Sequence, residues 1–298
     1  MSLGGPILLT GANGQVGWEL RRALLPLGPI VAPGRAQCDL SRPETLADVV
    51  RQIRPQWIIN PAAYTAVDRA ESEPGLCDTV NAVAPGVLAE AAREAGAGII
   101  HFSTDYVFDG GKRTPYRESD VPAPLNYYGA SKLAGEQAIA AAGAPWLVLR
   151  TGWVYGGHGV NFVRTMQRLL GERSSLSVVD DQIGAPTWAR AIADAVAIIV
   201  GRYRTPERMA AASGLYHLSC GGSTTWFDFA AAIRQRMLTA QPDRPLAQLI
   251  AIPSHDYPTP AARSPYSVLD NGKLKRTFGL ALPPWSECFD LAAPEFGL

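Results

Sequence analysis

The sequence has no long hydrophobic run, no excess of charge of either sign and few cysteines. Its 298 residues include 27 Lys plus Arg and 27 Asp plus Glu, so the formal net charge is zero. No global basic field would therefore attract nucleic acid or an anionic membrane. The most apolar helical segment, 191–200, contains Asp194 and is too short to span a bilayer. We expect neither nucleic acid nor a membrane as a partner.

The few cysteines and histidines do not suggest a metal or redox centre. The cysteines are too scattered for a zinc ribbon or a CxxC pair, at Cys38, Cys77, Cys220 and Cys288. The four histidines form no ligand cluster with them, so no metal site is predicted. Buried free thiols suit a reducing compartment. The start, MSLGGPILLTG, does not have the pattern of a secretory signal, and a cytoplasmic protein is expected.

Short apolar strands alternate with helical segments in the first half of the chain. The strand segments are PILLTG, IVAP, WIIN, GIIHFS and WLVLRTG, and helices are predicted over 15–25, 43–53 and 82–96. Strands that are apolar throughout indicate a parallel sheet covered on both faces. The predicted fold class is α/β, with a Rossmann-type doubly wound parallel sheet.

The alternation weakens after residue 151, where Gly, Pro and longer loops become frequent. Helices over 161–170, 189–200 and 226–238, with short strands at LYHLS and QLIAIP, predict a smaller mixed α/β lobe. The predicted domains are 1–151 for dinucleotide binding and mainly 152–298 for a nucleotide-sugar, with some later segments returning to the first domain.

The segment TGANGQVG directly follows the first predicted strand and spaces Gly11, Gly14 and Gly17 as GxxGxxG. Glycines in such a turn let the backbone approach a pyrophosphate, and the next helix begins there with free amides. This position predicts dinucleotide binding. A glycine-rich turn without a ligand is the alternative.

The end of the second strand bears on which dinucleotide binds. Sites for NAD usually carry an acidic residue about 20 residues further on. The segment VAPGRAQCDL has no acid before Asp39 and places Arg35 close by. Because a guanidinium there favours a 2′-phosphate, NADPH is the expected cofactor, with NADH possible.

The segment NYYGASKLAGEQ places two tyrosines ahead of a lysine. On a helix Tyr128 and Lys132 are four residues apart and share a face, whereas Tyr127 does not. A neighbouring ammonium would lower the pKa of the phenol, so that Tyr128 could donate a proton near neutral pH. An ordinary surface pair is the alternative.

The segment STDYVFDG favours the catalytic interpretation. Ligands bind beyond the carboxyl ends of parallel strands, and Thr104 and Asp105 lie at such an end. The Thr104 hydroxyl would polarise the carbonyl that Tyr128 protonates. The predicted catalytic residues are Tyr128, Lys132 and Thr104, and the predicted chemistry is hydride transfer. His101, in the same apolar strand, is expected to be a core histidine.

Six motifs occur in a characteristic order: TGANGQVG, NPAAYTAVDRAESEP, STDYVFDG, YYGASKLAGE, RTGWVYG and DDQIGAPT. From about residue 6 to past residue 285 the chain resembles the extended short-chain dehydrogenase/reductases, and among them the dTDP-4-dehydrorhamnose reductase family. The resemblance implies NAD(P)H-dependent reduction of the C4 ketone of dTDP-4-dehydro-6-deoxy-L-mannose to dTDP-L-rhamnose. A dTDP-sugar is the implied substrate.

The resemblance also implies roles for individual residues. With the glycine turn and Arg35, the predicted cofactor-binding residues are Gly11, Asn13, Gly14, Gln15, Val16, Gly17, Arg35, Asp39, Leu40, Ala62, Ala63, Tyr64, Thr65, Phe102 and Lys132. The implied substrate-binding residues are Thr104, Asp105, Tyr128, Trp153, Gln182, Pro186 and Arg263. Ser264 interrupts the family's Arg-Pro order after Arg263, and an ordinary surface arginine is the alternative there.

One departure from the resemblance concerns assembly. Some members of the family form dimers bridged by Mg²⁺ that glutamates hold. Glu19 matches one such position, but Arg190 stands at another, and a guanidinium cannot ligate a hard cation. A monomer or a weak metal-independent homodimer is expected.

Two other functions stay open. One is a non-catalytic nucleotide-binding subunit, since the regulatory β subunit of methionine adenosyltransferase has a similar scaffold; the presence of Thr104, Tyr128 and Lys132 argues against it. The other is a different nucleotide-sugar enzyme, such as another reductase, an epimerase or a 4,6-dehydratase. A dehydratase typically needs an Asp-Glu pair, and STDYVF has no Glu after Asp105.

Overall fold

The computed structural model describes residues 3–298. Within that range the strands are β1 Ile7–Leu9, β2 Ile30–Val31, β3 Trp57–Asn60, β4 Gly98–Thr104, β5 Trp146–Thr151, β6 Val154–Tyr155, β7 Ser175–Val179, β8 Ile183–Gly184, β9 Thr187–Trp188, β10 Gly214–His217, β11 Thr224–Thr225 and β12 Gln248–Ile252. The helices are α1 Gln15–Ala23, α2 Leu46–Ile53, α3 Val67–Ala70, α4 Pro74–Asp78, α5 Ala84–Ala95, α6 Tyr127–Ala141, α7 Phe162–Glu172, α8 Ala189–Tyr203, α9 Pro206–Ala210, α10 Trp226–Ala240, α11 Gly272–Phe278 and α12 Trp285–Ala292. A π-helical turn, Thr79–Val83, precedes α5.

Six strands form one sheet in the order β10-β5-β4-β3-β1-β2, and every neighbouring pair is parallel. The direction of the crossovers reverses at β1 and β3, which is where an open parallel sheet places its ligand site. The doubly wound parallel sheet predicted from the sequence is confirmed.

Side-chain alternation along the strands builds an apolar core on each face of this sheet. Leu9 and Ile59 point into the core that packs against α8, whereas Leu8 and Ile58 point into the core beneath α2 and α5. Burial on both faces explains why these strands are apolar at consecutive positions rather than at alternate ones.

The later half of the chain contributes both to this sheet and to a separate set of short strands. The strand predicted at LYHLS is β10, and it pairs in parallel with β5 at the edge of the main sheet. The strand predicted at QLIAIP is β12, which pairs in parallel with β7. The predicted helices over 161–170, 189–200 and 226–238 are present as α7, α8 and α10. The division into domains 1–151 and 152–298 stays a prediction.

A third apolar core lies among α7, α10 and α12 and is rich in aromatic rings such as Tyr155, Phe229 and Phe289. The four cysteines are free and buried, as expected. Among residues 3–298, no helix combines the length and the apolar character that crossing a bilayer requires.

Candidate active site

The turn between β1 and α1 is built for close backbone approach. Gly11 has a φ of +55°, which glycine adopts without strain. A Cβ at Gly17 would lie 2.1 Å from the carbonyl oxygen of Gly11, so no larger residue fits there. Because α1 begins at Gln15, its first amides face this turn without helical partners. The turn can therefore cradle an anion.

A cavity of about 510 Å³ opens beside the glycine turn. The predicted cofactor residues that line it are Gly11, Asn13, Gly14, Arg35, Asp39, Leu40, Ala62, Ala63 and Tyr64. They come from the loops after β1, β2 and β3, which meet at one edge of the sheet. The combination of a backbone cradle with a cavity of this size fits a dinucleotide.

Six predicted cofactor residues do not line the cavity: Gln15, Val16, Gly17, Thr65, Phe102 and Lys132. Gln15 donates to the Val154 carbonyl at 3.4 Å, and Val16 packs against the core that faces α8. Phe102 is 7% exposed, and its side chain packs in the core against α8 rather than lining the cavity. Thr65 is exposed and follows the lining residues Ala63 and Tyr64 along the chain. The resemblance placed Phe102 near the cofactor by its position in the chain. The direction of its side chain depends on the pleat of β4, which turns it towards the core.

Arg35 lies at the cavity with its side chain 78% exposed. Its guanidinium is 3.4 Å from the carboxylate of Asp39. Asp39 accepts hydrogen bonds from the backbone N–H and the hydroxyl of Ser41, at 3.0 and 2.8 Å. These bonds, with the charge of Arg35, hold the pKa of Asp39 below its usual value. The carboxylate is thus fixed from one side, while the guanidinium remains exposed to a ligand.

The first turn of α6 places Tyr128 at the carboxyl end of β4. The side chain of Asn126 accepts a hydrogen bond from the Gly129 amide at 2.8 Å, which caps the helix. A Cβ at Gly129 would lie 2.2 Å from the carbonyl oxygen of Tyr106, so only glycine lets α6 approach the chain this closely. The Tyr128 hydroxyl is consequently hydrogen-bonded to Thr104.

The two adjacent tyrosines point to different partners. Tyr127 donates its hydroxyl to Asp78, on the side of α4, while Tyr128 contacts Thr104. The ring of Tyr106 packs edge-on against Tyr128, with centroids 5.8 Å apart. Tyr128, which the four-residue spacing from Lys132 indicated, is therefore the tyrosine that lies at the strand ends.

The pKa of Tyr128 is raised, whereas the sequence predicted that Lys132 would lower it. Burial raises this pKa above its usual value, and the hydrogen bond with Thr104 offsets only part of the effect. Lys132 was expected to lower it, but the Lys132 ammonium instead contacts His101, with Nζ 2.9 Å from Nε2. Burial lowers the pKa of Lys132 to about 8. Tyr128 and Lys132 share a helix face, but the Lys132 ammonium contacts His101 on β4.

Thr104 and Asp105 form a buried polar pair at the end of β4. The Thr104 hydroxyl accepts a hydrogen bond from the Tyr106 amide at 3.1 Å and lies 3.2 Å from a carboxylate oxygen of Asp105. Burial raises the pKa of Asp105 to about 6, although hydrogen bonds from Ser267 and Thr104 act against it. Asp105 is therefore ionised near neutral pH and can accept hydrogen bonds from a polar ligand.

Trp153 has an unusual backbone and an extensive ring contact. Its φ is +50°, which is rare for a bulky residue and is held by the surrounding packing. Its ring stacks on Trp226, with centroids 3.5 Å apart and planes 4° apart. Sequence reasoning missed Trp226, because nothing in the TTWFDF segment indicates which ring it meets.

The remaining substrate residues lie in later loops. Gln182 donates to the hydroxyl of Ser254 at 2.9 Å, and Pro186 is buried between β8 and β9. Arg263 is held by Asp68, with Nη2 2.9 Å from the carboxylate. Arg263 is thus not an unattached surface arginine. Asp68 was not selected from the sequence, although the TAVDRAESEP motif contains it.

Asn81 is a second residue that sequence reasoning missed. It is fully buried in the π-helical turn, a feature often found at functional sites. Its side chain accepts from the Tyr64 amide at 2.8 Å and donates to the Tyr64 carbonyl at 3.0 Å and to Ser131 at 3.1 Å. Asn81 therefore joins the cavity-lining loop after β3 to the helix that carries Tyr128. A lone asparagine among apolar residues was the only signal.

Glu19, which matches a metal-binding position of the family, lies beside an arginine of the same chain. The guanidinium of Arg190 lies 3.0 Å from Glu19 and 2.9 Å from Glu295. Within residues 3–298, no group of three or more His, Cys, Asp or Glu side chains is arranged to hold a metal ion. Arg190 bridges both carboxylates within one chain, and Arg22 lies 3.2 Å from Glu19.

These features define the class. A doubly wound parallel sheet, a glycine turn at its switch point and a Tyr-Lys helix facing a strand-end threonine are the architecture of the extended short-chain dehydrogenase/reductases, which are NAD(P)-dependent oxidoreductases.

Comparison with known proteins narrows this class. The family described as RmlD substrate binding domain matches residues 5–296. The chain is 50% identical to a dTDP-4-dehydrorhamnose reductase of Burkholderia thailandensis, over 94% of this chain and 95% of that protein. It is 48% identical to one of Escherichia coli, over 94% of each chain. A crystal structure of dTDP-4-dehydrorhamnose reductase from Bacillus anthracis in complex with NADP has a TM-score of 0.88 and 35% identity, covering 99% of this chain and 100% of that one. The chain belongs to the RmlD substrate binding domain family, and the resemblance seen in the sequence is confirmed.

Proposed function

We propose that the protein reduces the C4 ketone of dTDP-4-dehydro-6-deoxy-L-mannose to dTDP-L-rhamnose, with NADPH as the preferred reductant. The observation that carries the proposal is the position of Tyr128 beside Thr104 at the carboxyl end of β4, at the same sheet edge that forms the dinucleotide cavity. The similarity to proteins named dTDP-4-dehydrorhamnose reductase supports the choice of substrate.

The nicotinamide cofactor, when bound, supplies the hydride. The residues of the chain donate the proton and orient the ketone. Because burial raises its pKa, the Tyr128 phenol is protonated near neutral pH, which is the state that a proton donor needs. Its hydroxyl donates to the ketone oxygen as negative charge develops there. When the ketone is bound, the Thr104 hydroxyl redirects its one proton from Asp105 to the same oxygen. The Lys132 ammonium, one helical turn from Tyr128, donates to the nicotinamide ribose.

Recognition of the nucleotide-sugar falls to the later loops. Arg263, oriented by Asp68, donates to diphosphate oxygens in a charge-assisted contact. The stacked rings of Trp153 and Trp226 present a rigid apolar surface to the sugar. Gln182 and Pro186 belong to the loop that receives the thymidine. Asp105 accepts hydrogen bonds from sugar hydroxyls. The cytoplasmic location stays a prediction.

The proposal is tested by mixing purified protein with NADPH and the 4-keto sugar nucleotide. We expect the absorbance of the reduced nicotinamide to fall and dTDP-L-rhamnose to be identified as the product by NMR. The same keto sugar on UDP serves as the control for the base. A regulatory subunit would bind the dinucleotide and leave the absorbance unchanged, and an epimerase or dehydratase would yield a different sugar.

The exposed guanidinium of Arg35 leads to a prediction about cofactor preference. Arg35→Ala should raise the KM for NADPH about 10-fold or more, since a charge-assisted hydrogen bond contributes about 1.5–3 kcal/mol. The KM for NADH should change little, because NADH has no 2′-phosphate. Steady-state kinetics with both cofactors measures the ratio. Arg42→Ala removes an exposed arginine paired with Glu44 outside the cavity and is the matched control. Equal effects on NADPH and NADH would contradict the assignment.

Arg190 leads to a prediction about assembly. Together with Arg22, which lies 3.2 Å from Glu19, Arg190 places two positive charges beside the carboxylates of Glu19 and Glu295, which would otherwise attract a divalent cation. The elution volume in gel filtration should therefore be the same in EDTA and in excess Mg²⁺, at every protein concentration tested. A dimer that forms with Mg²⁺ and dissociates in EDTA would show this to be wrong.

A further inference from the structure

The contact between Lys132 and His101 has a defined donor and acceptor. The two residues are 1% and 0% exposed, and Nζ lies 2.9 Å from Nε2. A lysine ammonium can only donate. The Nε2 of His101 is therefore the acceptor, and the proton of the neutral imidazole is on Nδ1.

On the other side of the ring, one of two polar neighbours agrees with this tautomer. His101 Nδ1 lies 3.1 Å from the backbone oxygen of Asn60, which accepts a hydrogen bond from Nδ1–H. The Asn60 amide nitrogen, 3.0 Å from the same Nδ1, is a donor and cannot bond to it in this state. The Thr10 hydroxyl orients that amide by donating to Oδ1 at 2.5 Å. These contacts form one fully buried chain that consists of Thr10, Asn60, His101 and Lys132.

The electrostatics keep His101 an acceptor. Burial, together with the charge of Lys132, holds the pKa of His101 well below its usual value, so the ring stays neutral near neutral pH. The titratable groups that act on Lys132 from its other sides are Glu136 on α6 and Cys77 on α4. Glu136 is itself bound to the Arg150 guanidinium at 2.8 and 2.6 Å. His101 is thus a neutral side chain that accepts a hydrogen bond from the buried ammonium.

We propose that His101 is a positioning residue for the reduction: its Nε2 fixes the Lys132 ammonium at the strand ends and keeps it charged where Tyr128 is used. A core histidine that only fills space would not need a particular tautomer or two hydrogen-bonded nitrogens. The catalytic part of this inference rests on the proposed function, whereas the hydrogen bond and the protonation state of Lys132 do not.

Three variants test the role. His101→Phe retains a ring but removes the acceptor, so the ammonium should lose its proton more readily. We expect the alkaline limb of the kcat/KM profile to move down by about one pH unit, and kcat to fall about 10-fold. His101→Gln should restore most of both, because its amide oxygen can accept from Lys132 and its amide N–H can donate to Asn60. His217→Phe, which replaces another fully buried histidine on β10 that packs against Phe108, is the matched control and should leave the limb in place.

The outcomes separate positioning from packing. An unshifted limb in His101→Phe, an equal shift in His217→Phe, or a folded His101→Gln protein that behaves like the Phe variant would each overturn the proposal.

A measurement on the unaltered protein does not depend on whether the variants fold. In protein labelled with ¹⁵N-histidine, the His101 resonances near neutral pH should be those of the Nδ1–H tautomer with a hydrogen-bonded Nε2. Lys132→Met should shift the Nε2 resonance and leave that of His217 unchanged. An Nε2–H tautomer or an imidazolium would overturn the proposal. Because no sugar is present, this result is independent of whether the proposed substrate is turned over.

Discussion

Tyr128→Phe lowers kcat by about 10² or more, the usual range for the loss of a general acid. The substitution removes only the hydroxyl that bonds to Thr104 and leaves the ring packed edge-on against Tyr106. The dissociation constant for NADPH, measured by fluorescence titration, should therefore change little while turnover of the dTDP-linked ketone collapses.

Tyr127→Phe is the matched control for this experiment. It removes a phenolic hydroxyl from the neighbouring residue, where the partner is Asp78 and not Thr104. Its kcat should stay near that of the unaltered protein. If the two variants lost activity equally, or if Tyr128→Phe lost none, the assignment of the proton donor would be wrong.

The pH dependence of the same reaction distinguishes the phenol from the ammonium. The pKa of Tyr128 is raised, so its proton is not lost in the usual range of assays, whereas the pKa of Lys132 is lowered to about 8. The fall in kcat/KM on the alkaline side should accordingly follow Lys132, which loses its charge as the pH rises through that value.

Arg150→Met destabilises the protein by about 3–5 kcal/mol, the cost of leaving one partner of a buried ion pair alone. Arg150 is 1% exposed, and its guanidinium makes two hydrogen bonds to Glu136, at 2.8 and 2.6 Å. This pair joins β5 to α6, the helix that carries Tyr128. Methionine fills much of the same space, so the effect reports the unpaired carboxylate of Glu136 rather than a cavity. The free energy of unfolding in urea measures it.

An exposed ion pair provides the comparison. Arg168 and Glu172 are 2.8 Å apart on α7, with side chains 60% and 55% exposed, and Arg168→Met should change stability by about 0.5 kcal/mol or less. Adding Glu136→Gln to Arg150→Met should recover part of the loss, because no buried charge then remains. A cost for Arg150→Met as small as that for Arg168→Met would contradict this account of the pair.

Much of the fold could be predicted because its signals are local. WIIN and GIIHFS are mostly apolar because both faces of those strands are buried, and the strand pairing confirms the parallel arrangement. Gly96 ends α5 in a left-handed conformation with φ +66°, which glycine adopts without strain. Short strands such as β6 and β9 carry too few residues to show any periodicity, and they were not predicted.

The sequence by itself determined the sheet, the glycine turn and which of the two tyrosines lies at the strand ends, because strand apolarity, glycine spacing and the 3.6-residue helical repeat act between residues that are close in the chain. Only the tertiary structure decided which partners the functional side chains have. Arg263 binds Asp68 across 195 positions, and Lys132 contacts His101 rather than lowering the pKa of Tyr128. Such contacts depend on how strands and helices pack, and burial then sets the protonation of each group through desolvation, which spacing along the chain does not encode.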